Sequence, residues 1–210
     1  MDEELTKIAK KGTTTVGITF DKGVVLAADK RASMGNLVAH TGVDKIHKIT
    51  NYIAMTMAGL VGDNQMLVRY LKSQVKLLEI RQNEKVSVKA TSTLLSHILF
   101  SNRFSPFPFY VQIILGGVDK SGPHVFSLGA DGSNIEDKYL STGSGSPVAY
   151  GVLENNYKEN MTEKEAVSLA IKAINSAIKR DTYTGNGIDV FVINNKGCKR
   201  LTPDEIKKYL

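Results

Sequence analysis

The segment Gly23-Val24-Val25-Leu26-Ala27-Ala28-Asp29 restricts the architecture more than any other stretch of this chain. Side chains of a strand alternate between the two faces of its sheet, so a half-solvated strand alternates apolar with polar. Here both sets of positions are apolar until Asp29, the pattern of a strand covered on both sides. Thr13 to Phe20, just before it, also reads as a strand, with Val16, Ile18 and Phe20 on one face. Asp21-Lys22-Gly23 supplies the turn between the two. A sheet buried on both faces needs a packing layer on each, and the rest of the chain has to provide them.

Further strands are expected at Lys45 to Ile49 and Tyr52 to Ala58, with Thr50-Asn51 as their turn. Others follow at Phe109 to Gly117, at His124 to Gly129, and in a short piece near Ile135 to Leu140. Ile188 to Ile193 and Gly197 to Leu201 form a final hairpin. Lys30 to Asp44 reads as a connecting loop or short ribbon.

The helices come in pairs. The first starts at Asp63, taken as its N-cap, and runs to about Arg81 with Met66, Leu67, Tyr70, Leu71, Leu77 and Leu78 at helical spacing. The second, about Val88 to Asn102, carries Thr91, Leu94, Leu95, Ile98 and Leu99 on its apolar side and ends at Ser105-Pro106-Phe107-Pro108. After the polar loop Thr142 to Pro147 comes a short helix, about Val148 to Asn156. The clearest helix is Thr162 to Arg180, opened by a Thr162–Glu165 capping box and striped by Ala166, Leu169, Ala170, Ala173, Ile174, Ala177 and Ile178. Pro203 opens a short polar C-terminal helix. Strands covered on both faces, with two pairs of one-sided helices, make an α+β fold. It is a four-layer αββα sandwich of two packed, mainly antiparallel sheets.

At 210 residues the chain suits a single domain, and the charged stretch 1–12 reads as an appendage to it. One cysteine, Cys198, rules out an internal disulfide and fits a reducing compartment. The N-terminus opens acidic and lacks the apolar core of a secretory signal, and no apolar run approaches the ~18 residues of a membrane span. A cytoplasmic protein without membrane contact is expected. Net charge is +6, but apart from Lys196 to Arg200 the basic residues are dispersed, without the aromatic interleaving of a nucleic-acid surface. No nucleic-acid partner is expected.

The common catalytic signatures are missing. There is no P-loop, and Gly143 and Gly145 lack the third glycine of a dinucleotide fingerprint. His40, His47, His97 and His124 show no metal-ligand spacing, so neither metal nor cofactor is expected. Four polar features stand out instead. The run Thr13-Thr14-Thr15 heads the first strand, and Asp29 ends an apolar one. Lys45 begins another strand, and Asp181 leads from the core helix into a hydroxyl- and glycine-rich loop. Polar groups gathered at a buried site must be paired with one another.

An ordered series of motifs carries a resemblance to a known family. The series is Gly12-Thr13-Thr14-Thr15-Val16-Gly17, LAADKRAS from Leu26 to Ser33, and Asp44-Lys45-Ile46. It continues with MAGLVGD from Met57 to Asp63, GSGSPVAYGVLE from Gly143 to Glu154, and RDTYTGNG from Arg180 to Gly187. Over essentially its whole length the chain resembles a β-type proteasome subunit of the archaeal kind, a threonine peptidase with the N-terminal nucleophile hydrolase fold. That resemblance implies a precursor cut between Gly12 and Thr13, with a propeptide at 1–12 and one peptidase domain at 13–210.

Carried over residue by residue, the resemblance makes Thr13 both nucleophile and base. A free α-amine has a pKa of about 7.7–8, against about 10.4 for a lysine side chain, so part of it is unprotonated near neutrality. Lys45 would favour the alkoxide-like form of the Thr13 hydroxyl, and Asp29 would hold Lys45 charged. The N–H of Gly59 would stabilise the oxyanion. Ser144, Asp181 and Thr184 would surround the amine, Thr184 standing where the family usually has serine.

Ala32, Val43, Met57 and Val61 would line the specificity pocket, implying cleavage after apolar residues. Ser33 and Gly59 would hold the substrate backbone extended. The implied partners are other β subunits in a seven-membered ring, α-type subunits, an unfolding ATPase and unfolded protein substrates. An alternative is a structural ring subunit that stays unprocessed.

Overall fold

The computed structural model of the chain describes residues 12–210, so the expected propeptide lies outside the described residues apart from Gly12. In chain order the strands are β1 (Thr15–Phe20), β2 (Gly23–Asp29), β3 (Ala32–Met34), β4 (Leu37–His40), β5 (Ile46–Lys48) and β6 (Ile53–Gly59). They continue as β7 (Val111–Asp119), β8 (Gly122–Gly129), β9 (Asn134–Asp137), β10 (Tyr139–Thr142), β11 (Ile188–Asn194) and β12 (Gly197–Arg200). The helices are α1 (Val61–Gln82), α2 (Val88–Asn102), α3 (Ser146–Asn156), α4 (Glu163–Ile178) and α5 (Pro203–Lys207).

One five-stranded sheet has the order β10-β1-β2-β11-β12, the other β5-β6-β7-β8-β9, and β3-β4 form a separate ribbon. Every pairing is antiparallel. The alternation along β2 explains the layering. Val25 and Ala27 pack towards Ala166, Ala170 and Ile174 of α4. Val24, Leu26 and Ala28 face the other way, against Ile114 of β7 and Val125 of β8. A third apolar layer joins Met55, Ile113 and Leu115 of the second sheet to Leu71 of α1 and Leu95 of α2. The result is the expected αββα sandwich, and β2 is buried along its whole length.

The capping box forms as expected, Glu165 N–H donating to Thr162 Oγ1 at 3.3 Å and Thr162 N–H to Glu165 Oε2 at 2.8 Å. Three local expectations do not hold. Helix α1 starts at Val61, with Leu60 at the N-cap position and no side-chain cap. The Asp63 carboxylate instead accepts from Tyr110 N–H at 2.9 Å, tying the first turn of α1 to the approach to β7. Its buried face is Asn64, Leu67, Val68, Leu71 and Val75, whereas Met66, Tyr70 and Leu77 are exposed. The apolar residues of this helix exceed its buried face, so counting them misplaces the stripe. Finally, the single strand near Ile135 to Leu140 is two strands: β9 edges one sheet, β10 the other, and the chain changes sheets at Lys138.

That crossing helps to assemble the site. Thr15 at the start of β1 lies between Ala28 of β2 and Thr142 of β10. Asp29 at the end of β2 lies opposite Ile188 at the start of β11. The segment before β1, the loop after β10 and the loop before β11 therefore meet at one end of the first sheet.

Candidate active site

Thr13 stands two residues ahead of β1 and is only 5% exposed. Its hydroxyl Oγ1 accepts a hydrogen bond from Lys45 Nζ at 2.8 Å. The same ammonium donates to Asp29 Oδ1 at 2.7 Å. Lys45 lies just before β5 rather than in it, and its C=O accepts from Met57 N–H at 3.0 Å, which anchors it to β6.

Asp29 is wholly buried and paired on both oxygens. Oδ1 also accepts from Thr14 N–H at 3.0 Å, and Oδ2 accepts from Arg31 N–H at 3.1 Å and Gly185 N–H at 2.9 Å. Backbone donors from three segments thus orient this carboxylate before Lys45 is considered. A buried carboxylate is tolerated on these terms. Burial pushes the Lys45 pKa below its ordinary value, and the charge and hydrogen bond of Asp29 oppose that shift. An ammonium with less hold on its protons, touching a hydroxyl oxygen, stabilises negative charge developing there.

On the other side of Thr13, its backbone N–H donates to Ser144 Oγ at 3.2 Å. Ser144 Oγ donates to Asp181 Oδ2 at 2.5 Å, and Thr184 Oγ1 donates to the same oxygen at 2.5 Å. With its proton committed there, Thr184 Oγ1 accepts from Thr14 Oγ1 at 2.7 Å. Thr184 is buried, and its hydroxyl makes both contacts despite the extra methyl.

Gly12 and Gly59 lie beside Thr13 in one pocket wall. A Cβ on Gly12 would fall 1.8 Å from Tyr183 Cβ and 2.6 Å from Ser144 Oγ, so no larger residue fits there. Gly12 N–H donates to Ser33 Oγ at 3.4 Å. Gly59 has φ of 120°, and a Cβ would fall 2.0 Å from Tyr110 O.

Ala32, Val43, Met57 and Val61 all line a pocket of about 80 Å³ beside Thr13 and Gly59. All twelve residues singled out from sequence therefore lie at or around this one site, with Gly12 alongside.

Sequence reasoning missed Asp44, His47, Asn64 and Gln65 in the same pocket wall. Once Val61 is placed on a helix, the i+3 and i+4 rule puts Asn64 and Gln65 on its face, so that signal was available. Asp44 carries a charge, but Arg200 Nη2 donates to Asp44 Oδ1 at 2.5 Å and holds its carboxyl below the usual carboxylate range. Burial lowers the His47 pKa, leaving the ring neutral at pH 7. Arg31 was missed too. Its guanidinium donates to Thr182 O and Asn186 Oδ1, both at 2.7 Å, fastening the 181–187 loop to the end of β2.

Among the described residues no group of His, Cys, Asp or Glu is arranged to hold a metal ion, and no helix is long and apolar enough to cross a membrane.

Two sheets sandwiched between helical layers, with a threonine at the head of a central strand, define the fold of the N-terminal nucleophile hydrolases. Residues 9–193 match the family described as Proteasome subunit. A proteasome subunit beta of Methanothermobacter thermautotrophicus is 53% identical over 199 residues, 94% of each chain. That of Methanocorpusculum labreanum is 51% identical over 202 residues, covering 96% of this chain and 94% of the relative. That of Methanocaldococcus vulcanius is 52% identical over 202 residues, covering 95% and 90%. The chain belongs to the proteasome subunit family.

Proposed function

We propose that this chain is a catalytic β subunit of a proteasome core particle, a threonine endopeptidase that frees its own nucleophile by cleavage between Gly12 and Thr13. The observation that carries the reading is the Lys45 ammonium held between Thr13 Oγ1 and Asp29 Oδ1 in a nearly water-free position. A structural subunit has no need of a buried ion pair aimed at a threonine hydroxyl.

In self-cleavage, Thr13 Oγ1 attacks the Gly12 carbonyl carbon and gives up its proton. The carbon–nitrogen bond breaks as the Thr13 nitrogen takes a proton, leaving an ester. Water then hydrolyses the ester, releasing a carboxylate at Gly12 and a free amine at Thr13. The missing side chain at position 12 lets the junction pass against Ser144 and Tyr183, where a Cβ would collide.

In the mature enzyme the Thr13 amine takes the proton of its own Oγ1 as that oxygen attacks a substrate carbonyl. Lys45 stabilises the developing alkoxide, and Gly59 N–H receives the oxyanion. The protonated amine, surrounded by Ser144, Asp181 and Thr184, returns its proton to the leaving amine. Water hydrolyses the acyl ester. Val43, Met57, Ala32 and Val61 favour an apolar residue before the scissile bond. Ser33 and Gly59 hold the backbone extended.

The relatives' name places them in the proteasome. The partners proposed for this chain are accordingly β subunits in a seven-membered ring and α-type subunits, with an ATPase supplying unfolded protein in the cytoplasm. The test is the intact mass of the chain assembled with its α-type partner, expected to show loss of residues 1–12, together with peptidase activity that disappears in Thr13→Ala. A full-length chain in the assembled particle, or undiminished activity of that variant, would overturn the reading.

A further inference from the structure

A second and larger cavity, about 680 Å³, shares Gly12 and Gly59 with the specificity pocket but is walled by Gly143 and Ser144 rather than by Ala32 and Lys45. Tyr110, Gln112, Ala130, Asp131, Gly143 and Tyr183 contribute to its wall. We propose that this cavity binds the part of the substrate that follows the scissile bond, and that Asp131 makes it prefer a basic residue there over an acidic one. The proposal rests on the catalytic reading above and adds a second binding site to it.

The direction follows from where protons must go. The Thr13 nitrogen contacts Ser144 Oγ, and Ser144 lines this cavity, not the specificity pocket. A leaving amine has to emerge on the side of the group that protonates it, so the chain beyond the scissile bond enters this cavity. The backbone around it is well anchored. Gly143 N–H donates to Gln112 Oε1 at 2.9 Å, which joins the loop after β10 to β7, and Asp63 holds Tyr110 N–H at 2.9 Å. Only Gly12 would be lost from the wall on processing.

The chemistry of the wall sets the preference. Among its lining residues one, Asp131, carries a formal charge. Asp131 Oδ1 accepts from Ser133 N–H at 3.1 Å and Ser133 Oγ at 2.8 Å. These bonds hold its carboxyl below the ordinary carboxylate value, so it is ionised at pH 7. The bonds occupy one oxygen and leave Oδ2 to an incoming cation. Tyr110 and Tyr183 add aromatic side chains to the wall, against which a guanidinium or a lysine stem can lie.

The experiment uses the particle assembled with its α-type partner and internally quenched peptides. These are identical before the scissile bond and carry Lys, Gln or Glu at the first and second positions after it. The expected kcat/KM ratio of Lys to Glu peptide is about three- to fivefold at low salt, the size of an exposed ion pair, and smaller at high salt. In Asp131→Asn the ratio approaches one, and in Asp131→Lys it inverts. A ratio near one in the unaltered particle, or a ratio unmoved by both substitutions, would overturn the proposal while leaving the catalytic reading intact. A particle that cleaves none of the peptides would overturn both.

Discussion

Lys45 and Asp29 form a 2.7 Å ion pair in which the lysine side chain is 6% exposed and the carboxylate entirely buried. The pair matters less as a staple than as an aiming device, because the same Nζ reaches Thr13 Oγ1. Breaking a buried pair leaves an uncompensated charge and typically costs about 3–5 kcal/mol. Lys45→Ala should therefore lower both stability and activity, which confounds them. Lys45→Arg keeps the charge but not the compact ammonium geometry. It is expected to assemble yet lose about a hundredfold or more in kcat, with little change in the melting temperature of the particle. Thermal unfolding and peptide kinetics on the same sample check this.

Gly12→Ala should stall maturation. Its Cβ would overlap Tyr183 Cβ, so the junction cannot keep the conformation seen beside Ser144. Mass spectrometry of the assembled particle should find the uncleaved chain in large excess over the unaltered protein. A chain expressed from Thr13 onward carrying the free amine should be fully active, since the substitution affects only the precursor.

Arg200 masks a charge in the proposed specificity pocket, that of Asp44. Arg200→Gln frees Asp44, and the particle should then cleave after Lys or Arg severalfold faster than before. The double substitution Arg200→Gln with Asp44→Asn should remove that gain. The single substitution also strips Asp189 of the guanidinium bonded to its Oδ1, at 2.8 Å from Arg200 Nε. A stability loss of about 1–3 kcal/mol is expected with it, from a buried acceptor left unpaired.

Cys198 should be a poor nucleophile in the folded chain. Burial pushes its thiol up to about 11, against an ordinary value near 9. At pH 8 the folded protein should react slowly with iodoacetamide, and denaturant should speed alkylation strongly. Equal rates with and without denaturant would contradict the packing of Cys198 against Ile193 and Phe191.

Much of this site is legible in the sequence, for a reason visible in its parts. Asp29, Lys45 and Asp181 are polar residues at the ends of apolar elements, where local pattern makes them conspicuous, and the motif series implies roles for them. Asp131 and Arg200 are not legible as site residues in the sequence. Each is an ordinary polar residue in its own segment, and its meaning comes from what lies opposite across the fold.

The same division holds for the architecture. Alternation along Gly23–Asp29 and the stripe of α4 depend on side-chain period, a property of consecutive residues, and they sufficed to require layers on both faces of a sheet. The division of Asn134–Thr142 between two sheets, the start of α1 at Val61 and the exposure of Tyr70 depend on which partner surface each segment meets. Burial and hydrogen-bond pairing are set by contacts far apart along the chain, such as Thr15 with Thr142 and Asp44 with Arg200, and no local window contains both members.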